Sequence, residues 1–413
     1  MKKFIQKHIG LSHVSIISVK TTHQDVIEIT LKSTLEGAHC HCCRKPIHQF
    51  YDYDRWLKLR HLPLLGQDVY VNVRLPRYQC HRCDQHPKTT QRPDWHKRNS
   101  GFTRPYEEHI LLSAINSTQT DVSRKEGITK EQVKGIMDRY LDTQVDWEQI
   151  KPIRVLGIDE ISLRKGHQSF IVVISSLVEG KQQLIALLKG RKKSTVKQFL
   201  ETMPETIKAN IQWVCSDMYK GFINASEEVF DKTTRVVIDR FHVAKLYRQP
   251  LDHVRKRELK RLKNTLSVSQ YKRLKGAMWA LRRSPHDLSE QDTAILARLF
   301  RYSRPLAETY QATQELTTIF NKSPSRASGV RRLKVWIKSA KVLSDDPFSK
   351  FIKTLRYHFD HIANYFVARK NSGFVEGLNN KIKVIKRRCY GIFRCDHLFQ
   401  RITLDIQGYA MFK

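Results

Sequence analysis

The sequence predicts a multidomain chain of mixed helix and sheet (α+β). The expected order is a zinc-ribbon module, a helix-turn-helix, and an α/β core interrupted by an all-helical insertion. Three observations carry this. Cys40, Cys43, Cys80 and Cys83 form two C-x2-C pairs with 36 residues between them. From Ile153 the apolar spacing changes from that of helices to the alternating and continuous runs of strands. Across residues 244–370 helical spacing recurs for about 130 residues, with Gly276 and Gly329 as the only glycines. A chain of 413 residues exceeds what one ordinary core supports and implies about two to four domains.

In the first domain, residues 1–95, each C-x2-C pair suits a tight knuckle that aims two thiolates at one ion. Two knuckles complete a tetrahedral sulfur site for structural zinc. Strand-like sequence with alternating Val69, Val71 and Val73 runs from Asp68 to Tyr78 between them. Cys42 breaks the pattern and could compete with Cys43, and His39, His41, His81 and His86 lie close by in sequence. The zinc is expected to have no open position and to supply folding energy in place of a core.

Residues 96–150 read as helical. Thr103 to Asn116 carries Ile110, Leu111, Ala114 and Ile115 on one face; Thr120 to Glu126 stops at Gly127; Thr129-x-x-Gln132 is a capping-box start. The last helix spaces Val133, Ile136, Met137, Tyr140 and Leu141 for burial and leaves Lys130, Lys134 and Arg139 for the outer face. Helix, glycine turn and capped amphipathic helix is the order of a DNA-reading helix-turn-helix. Composition points the same way. Lys and Arg total 74 against 40 Asp and Glu, a formal charge of +34, which favours a polyanionic partner. A membrane partner is not expected. The longest apolar stretch, Phe170 to Val178, is too short to span a bilayer, and no apolar run follows the basic start. The chain therefore reads as cytoplasmic, where its eight cysteines stay reduced.

Residues 151–243 alternate strands with helices: strands at Ile153 to Ile161, Ser169 to Val178 and Gln183 to Leu188, a helix from Thr195 to Ile207, then strands at Ile211 to Asp217 and Arg235 to Asp239. That order fits a ribonuclease H-like sheet, in which strands one and four are neighbours. Asp159 interrupts an apolar strand where an unpaired charge is expensive, a cost that a metal offsets. Asp217 ends the fourth strand. The insertion spans 244–370; its run of Arg255, Lys256, Arg257, Lys260, Arg261 and Lys263, against the single acid Glu258, suits phosphate contact. In 371–413, Glu376 opens a helix on which Asn380, Lys383 and Arg387 follow at four, seven and eleven residues, a basic stripe suited to a phosphate backbone.

Together these stretches resemble the ISL-three family of bacterial insertion-sequence transposases. The resemblance covers nearly the whole chain. It is carried by Gly157-Ile158-Asp159-Glu160, Ser216-Asp217-Met218-Tyr219, Asp239-Arg240-Phe241-His242-Val243 and Phe374-Val375-Glu376-Gly377-Leu378-Asn379-Asn380. It implies that Asp159, Asp217 and Glu376 form a DDE triad holding two magnesium or manganese ions for DNA cleavage and strand transfer. It implies an accessory role for Asp239 and His242 in a D-x2-H signature. The partners it implies are double-stranded DNA, as terminal inverted repeats and target, and a second copy of the chain in a dimer or larger synaptic complex. Two rivals are a catalytically inactive DNA-binding regulator derived from a transposase and a ribonuclease H-like nuclease that cuts without joining.

Overall fold

The computed structural model describes residues 2–148, 150–162, 170–178, 180–368, 373–390 and 394–413. The chain divides into two compact units, one of Met1–Asp142 with Gln400–Lys413 and one of Thr143–Phe399.

The first unit opens with α1 (Lys2–His8) and the strands β1 (Val14–Thr21), β2 (Ile27–Ser33), β3 (Ala38–His39), β4 (Pro46–Ile47), β5 (Phe50–Leu64), β6 (Gln67–Gln79) and β7 (Lys88–Thr90). The larger sheet runs β1-β2-β6-β5 with β7 beside β6, and the β2–β6 pairing is parallel. Leu65 and Gly66 join β5 to β6 with φ of 51° and 82°, the two left-handed positions of a tight hairpin turn. Val69, Val71 and Val73 point inward, as their period of two requires, and meet Ile29, Leu31, Leu59 and Trp95. This corrects the expectation that zinc stands in for a core. The sheet has an apolar core of its own, and the cysteines form a separate small cluster with Ile47 and Tyr78. The missed signal was alternation outside the cysteine window, at Val14 and Ile16 and at Ile27, Ile29 and Leu31.

Three helices follow: α2 (Arg104–Ala114), α3 (Gln119–Glu126) and α4 (Lys130–Tyr140). Each start has a local cause. Pro105 sits in the first turn of α2, Thr118 accepts the Asp121 N–H, and Thr129 and Gln132 close a capping box. Gly127 ends α3 at φ +61°. Ile110, Leu111, Val122, Val133 and Ile136 are buried together, joined by Leu404 from the C-terminal end of the chain. Residues 400–413 thus group with this unit, although the sequence pattern set all of 371–413 together.

The second unit is built on β8 (Val155–Ser162), β9 (Phe170–Val178), β10 (Lys181–Lys189), β11 (Trp213–Ser216) and β12 (Arg235–Ile238), in the order β10-β9-β8-β11-β12. The pairs β10–β9 and β9–β8 are antiparallel; β8–β11 and β11–β12 are parallel. Ile171 to Ile174 are all buried, as a strand covered on both faces demands. Between β10 and β11 lie α5 (Lys193–Glu201) and α6 (Glu205–Lys208), and between β11 and β12 lies α7 (Lys220–Val229). The single helix expected from Thr195 to Ile207 is two, because Pro204 cannot continue a helical hydrogen-bond ladder.

After β12 come α8 (Arg240–Thr265), α9 (Val268–Lys272), α10 (Ala277–Arg282), α11 (Glu290–Tyr302), α12 (Arg304–Lys322), α13 (Arg326–Ala340), α14 (Ser349–Tyr357), α15 (Phe359–Ala363) and α16 (Tyr365–Ala368). They serve two cores. Leu251, Leu262, Leu281, Leu296 and Leu299 form one among α8, α10 and α11, whereas Phe320, Trp336, Phe351 and Phe366 belong to the core of the sheet. Gly329 is required in α13, because a Cβ there would collide with the Phe366 ring. The chain closes with α17 (Gly373–Arg388) and α18 (Cys395–Phe412).

Candidate active site and metal-binding module

The parallel strands set out a row of acids. β11 pairs with β8 as Cys215 with Gly157 and Ser216 with Ile158, so the next residues are Asp217 and Asp159. β12 pairs with β11 as Ile238 with Ser216, so Asp239 comes next beside Asp217. Three carboxylates thus follow one another across neighbouring strands.

Each is held differently. Asp159 accepts the Glu160 N–H on Oδ1 at 2.7 Å and the Asn379 amide on Oδ2 at 2.5 Å. Asp217 accepts the Tyr219 N–H on Oδ1 at 2.8 Å. Asp239 caps α8 by accepting the Phe241 N–H at 3.1 Å, and its other oxygen lies 4.0 Å from His242 Nε2. Burial pushes the Asp159 carboxyl up to about 6, helped by the charges of Asp217 and Asp239 and opposed by the Glu160 N–H and His242. Burial raises Asp217 too, against the Tyr219 N–H, His242 and Arg191. Glu160 pairs instead with Arg191 at 3.4 Å, as alternation along a strand separates neighbours.

Asn379 is the residue that motif spacing passed over. It is 5% exposed, and among the described residues its Oδ1 has no hydrogen-bond partner. An orphaned carbonyl oxygen beside mutually repelling, partly buried carboxylates is a donor set that fits a hard divalent cation. Among the described residues, no third carboxylate or imidazole closes with Asp159 and Asp217 into a ligand cluster. Glu376 lies on the first turn of α17, one turn before Asn379, and its side chain is outside the described residues. Further along α17, Asn380, Lys383 and Arg387 are exposed while Leu378, Ile382 and Ile385 are buried.

The basic positions expected on α4 separate. Lys130 is exposed. Lys134 is ion-paired one turn on with Asp138. Arg139, expected on the outer face, is tied to Glu107, which is fully buried. A buried carboxylate needs a counter-charge, and Arg139 supplies it. Internal pairing also absorbs much of the basic run in α8: Arg255 and Lys256 bind Asp252, and Arg257 and Arg261 bind Glu258.

In the first unit the thiols of Cys40, Cys43, Cys80 and Cys83 all lie within 4.8 Å of one another. Their sulfurs stand 3.9 Å apart for Cys40–Cys83 and Cys43–Cys80, and 3.8 Å for Cys80–Cys83. A tetrahedron with zinc–sulfur bonds of about 2.3 Å has edges of about 3.8 Å, so the four cysteines fit structural zinc. The Cys43 N–H, with help from that of Cys42, brings the Cys40 thiol down to about 6, which favours the thiolate a metal needs. Cys42 is exposed and outside the set. None of the nearby histidines joins it; His41 bonds Thr89 and His81 packs on His86.

Freshly purified protein should carry about one zinc per chain. Cys80→Ser should abolish zinc retention, yet leave the larger sheet folded, because its core is elsewhere. Metal analysis with circular dichroism checks both, and chelator-free protein without zinc would refute the site.

Comparison with known proteins agrees with this architecture. The profile of a transposase family matches residues 156–402. That of the helix-turn-helix domain of transposase family ISL3 matches residues 91–141. That of the zinc-finger of transposases IS204, IS1001, IS1096 and IS1165 matches residues 36–83. The chain belongs to the ISL3 family of transposases. It is 26% identical over 389 residues to the transposase for insertion sequence element IS1001 of Bordetella parapertussis, covering 93% of this chain and 92% of that protein. It is 23% identical over 380 residues to the transposase for insertion sequence element IS1557 of Mycobacterium tuberculosis, covering 86% and 84%. No helix among the described residues is long and apolar enough to cross a membrane.

Proposed function

We propose that this chain is a working DDE transposase that binds the terminal inverted repeats of its element as double-stranded DNA, then cleaves the ends and transfers them to target DNA. The observation that carries the reading is the row of Asp159, Asp217 and Asp239 across parallel strands, with Asn379 of the late helix bonded to the first of them. The strand order supports a ribonuclease H-like core made of 151–243 with the start of 371–413, and the helices of 244–370 are its insertion.

Asp159, Asp217 and Glu376 would hold two divalent ions, magnesium or manganese. The chemistry supplied at that site would be activation of water or a DNA 3′-hydroxyl and stabilisation of the leaving oxygen of an in-line displacement. The chain's own groups fix the donors. The Asn379 amide fastens one oxygen of Asp159, and the Tyr219 N–H fastens one oxygen of Asp217. Asp239 sets the start of α8 and with it the imidazole of His242, an accessory pair that balances charge beside the row. On α17, Asn380, Lys383 and Arg387 offer the exposed face to a phosphate backbone; on α4, Lys130 stands exposed for DNA, and Lys134 joins it at little cost because its ion pair is exposed. Two ends must be held at once, so the active form is a dimer or larger assembly on DNA in the cytoplasm.

Full-length protein should shift duplexes bearing the element's ends in preference to random duplexes. A protein that neutralises about six phosphates loses about a thousand-fold in affinity between 50 and 200 mM salt. With magnesium it should then cleave at the element end and join the freed 3′-hydroxyl to target DNA. Binding without cleavage would favour the inactive regulator, and cleavage without joining would favour the nuclease.

A further inference from the structure

A cavity of about 510 Å³ lies among α8, α10 and α12, and nothing assigned so far uses it. It is one step from the acid row. α8 begins at the Asp239 cap, and the cavity is lined from Phe241 onward, whose ring stands edge-on to His242 at 5.8 Å. Phe241, Lys245 and Arg248 are spaced i, i+4, i+7 and share one helical stripe along the lining.

The chemistry of the lining is specific. Phe241 is 50% exposed, an aromatic face left to solvent. Lys245 and Arg248 are exposed and have no ion-pair partner among the described residues. The one acid present, Asp252, is already neutralised by Arg255 at 2.7 Å and Lys256 at 2.8 Å, and Arg282 stands 3.5 Å away. Gln249 and Gln314 add amide donors and acceptors. An exposed ring, unpaired cations and side-chain amides together recognise a nucleotide: the ring stacks on the base, the cations take phosphate oxygens, and the amides meet the base edge. The volume lies within the range of small-molecule pockets, about 300 to 1,000 Å³, which admits a nucleotide and no duplex. Inside a duplex both faces of a base are already stacked, so the base must leave the helix to reach Phe241.

We propose that this cavity binds an unpaired nucleotide of the DNA strand adjoining the acid row, with its base stacked on Phe241 and its flanking phosphates held by Lys245 and Arg248. The position of that strand rests on the transposase reading above; the affinity for an unpaired nucleotide does not.

The test uses full-length protein in chelator, so that no strand is cut. Anisotropy measures its binding to a labelled single-stranded oligonucleotide and to the matching duplex, and a 2-aminopurine in the single strand reports stacking. Phe241→Ala should weaken single-strand binding about tenfold, leave duplex binding within about twofold, and relieve the quenching of 2-aminopurine. Phe241→Trp should restore the single-strand affinity and the quenching, which excludes misfolding as the cause. Lys245→Ala with Arg248→Ala should flatten the salt dependence of single-strand binding by about 0.7 in log–log slope for each phosphate no longer neutralised. The proposal is overturned if Phe241→Ala leaves single-strand affinity unchanged, if it weakens duplex and single strand equally, or if Trp does no better than Ala. Because no step requires cleavage, a protein that binds as described and cuts nothing would sink the transposase reading alone.

Discussion

Asp159→Asn, Asp217→Asn and Glu376→Gln should each slow strand cleavage about a thousand-fold or more, while binding to element ends changes little. Metal ligands that act as a unit show such non-additive losses, since each one removed costs nearly the whole effect. Each change keeps the size of the side chain and removes the charge that a cation needs. Asp239→Asn is expected to be milder. Its carboxylate already caps α8 through the Phe241 N–H, and asparagine can cap a helix as well. Glu160→Gln should keep metal-dependent cleavage, because Glu160 pairs with Arg191 and not with Asn379. Asp159→Asn carries a second signature. With the acid raised from 3.8 to about 6 in the folded chain, its ionised form is disfavoured there. The sign follows from proton binding: the folded state holds the proton more tightly, so stability falls as pH rises from about 4 to about 6 and stays lower above. Removing the charge should therefore stabilise metal-free protein at neutral pH by about 2 to 3 kcal/mol. Magnesium should raise the melting temperature of the wild type and not of the variant. A cleavage-dead Asp239→Asn beside an active Asp217→Asn would show that the second aspartate has been misassigned.

Arg139→Ala should destabilise the N-terminal unit by about 3 kcal/mol, close to the cost of stranding a buried charge. Its partner Glu107 is fully buried and also accepts from Ser100 and Tyr140, each at 2.8 Å. Arg139→Ala combined with Glu107→Gln should recover much of that loss, because the stranded charge is then gone. Lys130→Ala provides the contrast, with stability unchanged to within about 0.5 kcal/mol and weaker DNA binding, as for an exposed phosphate contact. Urea denaturation of the single and double variants, with DNA binding measured alongside, separates these roles. An Arg139→Ala protein of full stability that no longer binds DNA would return Arg139 to the DNA-facing set.

What the sequence made legible was local. The capping box at Thr129 and Gln132, the stop at Gly127 and the two C-x2-C knuckles are each settled within a few residues. Asp159 was legible because a charge inside an apolar strand is conspicuous. The partners that complete these features lie far off in the chain. Asn379 reaches Asp159 across 220 positions, and no pattern around Leu378 and Ile382 distinguishes a buried amide from an exposed one. The C-terminal end of α18 was read with the catalytic region, yet Arg401 and Asp405 pair in the first unit and the Asn116 N–H donates to Asp405 across 289 positions. Arg139 looked free for the same reason, since Glu107 stands 32 residues earlier on another helix. The N-terminal sheet was overlooked because the cysteines drew the domain toward a metal-built module, whereas alternation at Val14, Ile16, Ile27, Ile29 and Leu31 already specified strands.

The central claim, that Asp159, Asp217 and Glu376 share a metal site, is tested most directly by iron mapping. Ferrous iron in place of magnesium, with ascorbate and peroxide, cuts the backbone beside the bound ion. Cuts should cluster at three places: the C-terminal half of β8, the end of β11 and the first turn of α17. Excess magnesium should suppress them, and Asp217→Asn should remove them. Cuts confined to other segments, or cuts at β8 and β11 with none near position 376, would contradict the triad.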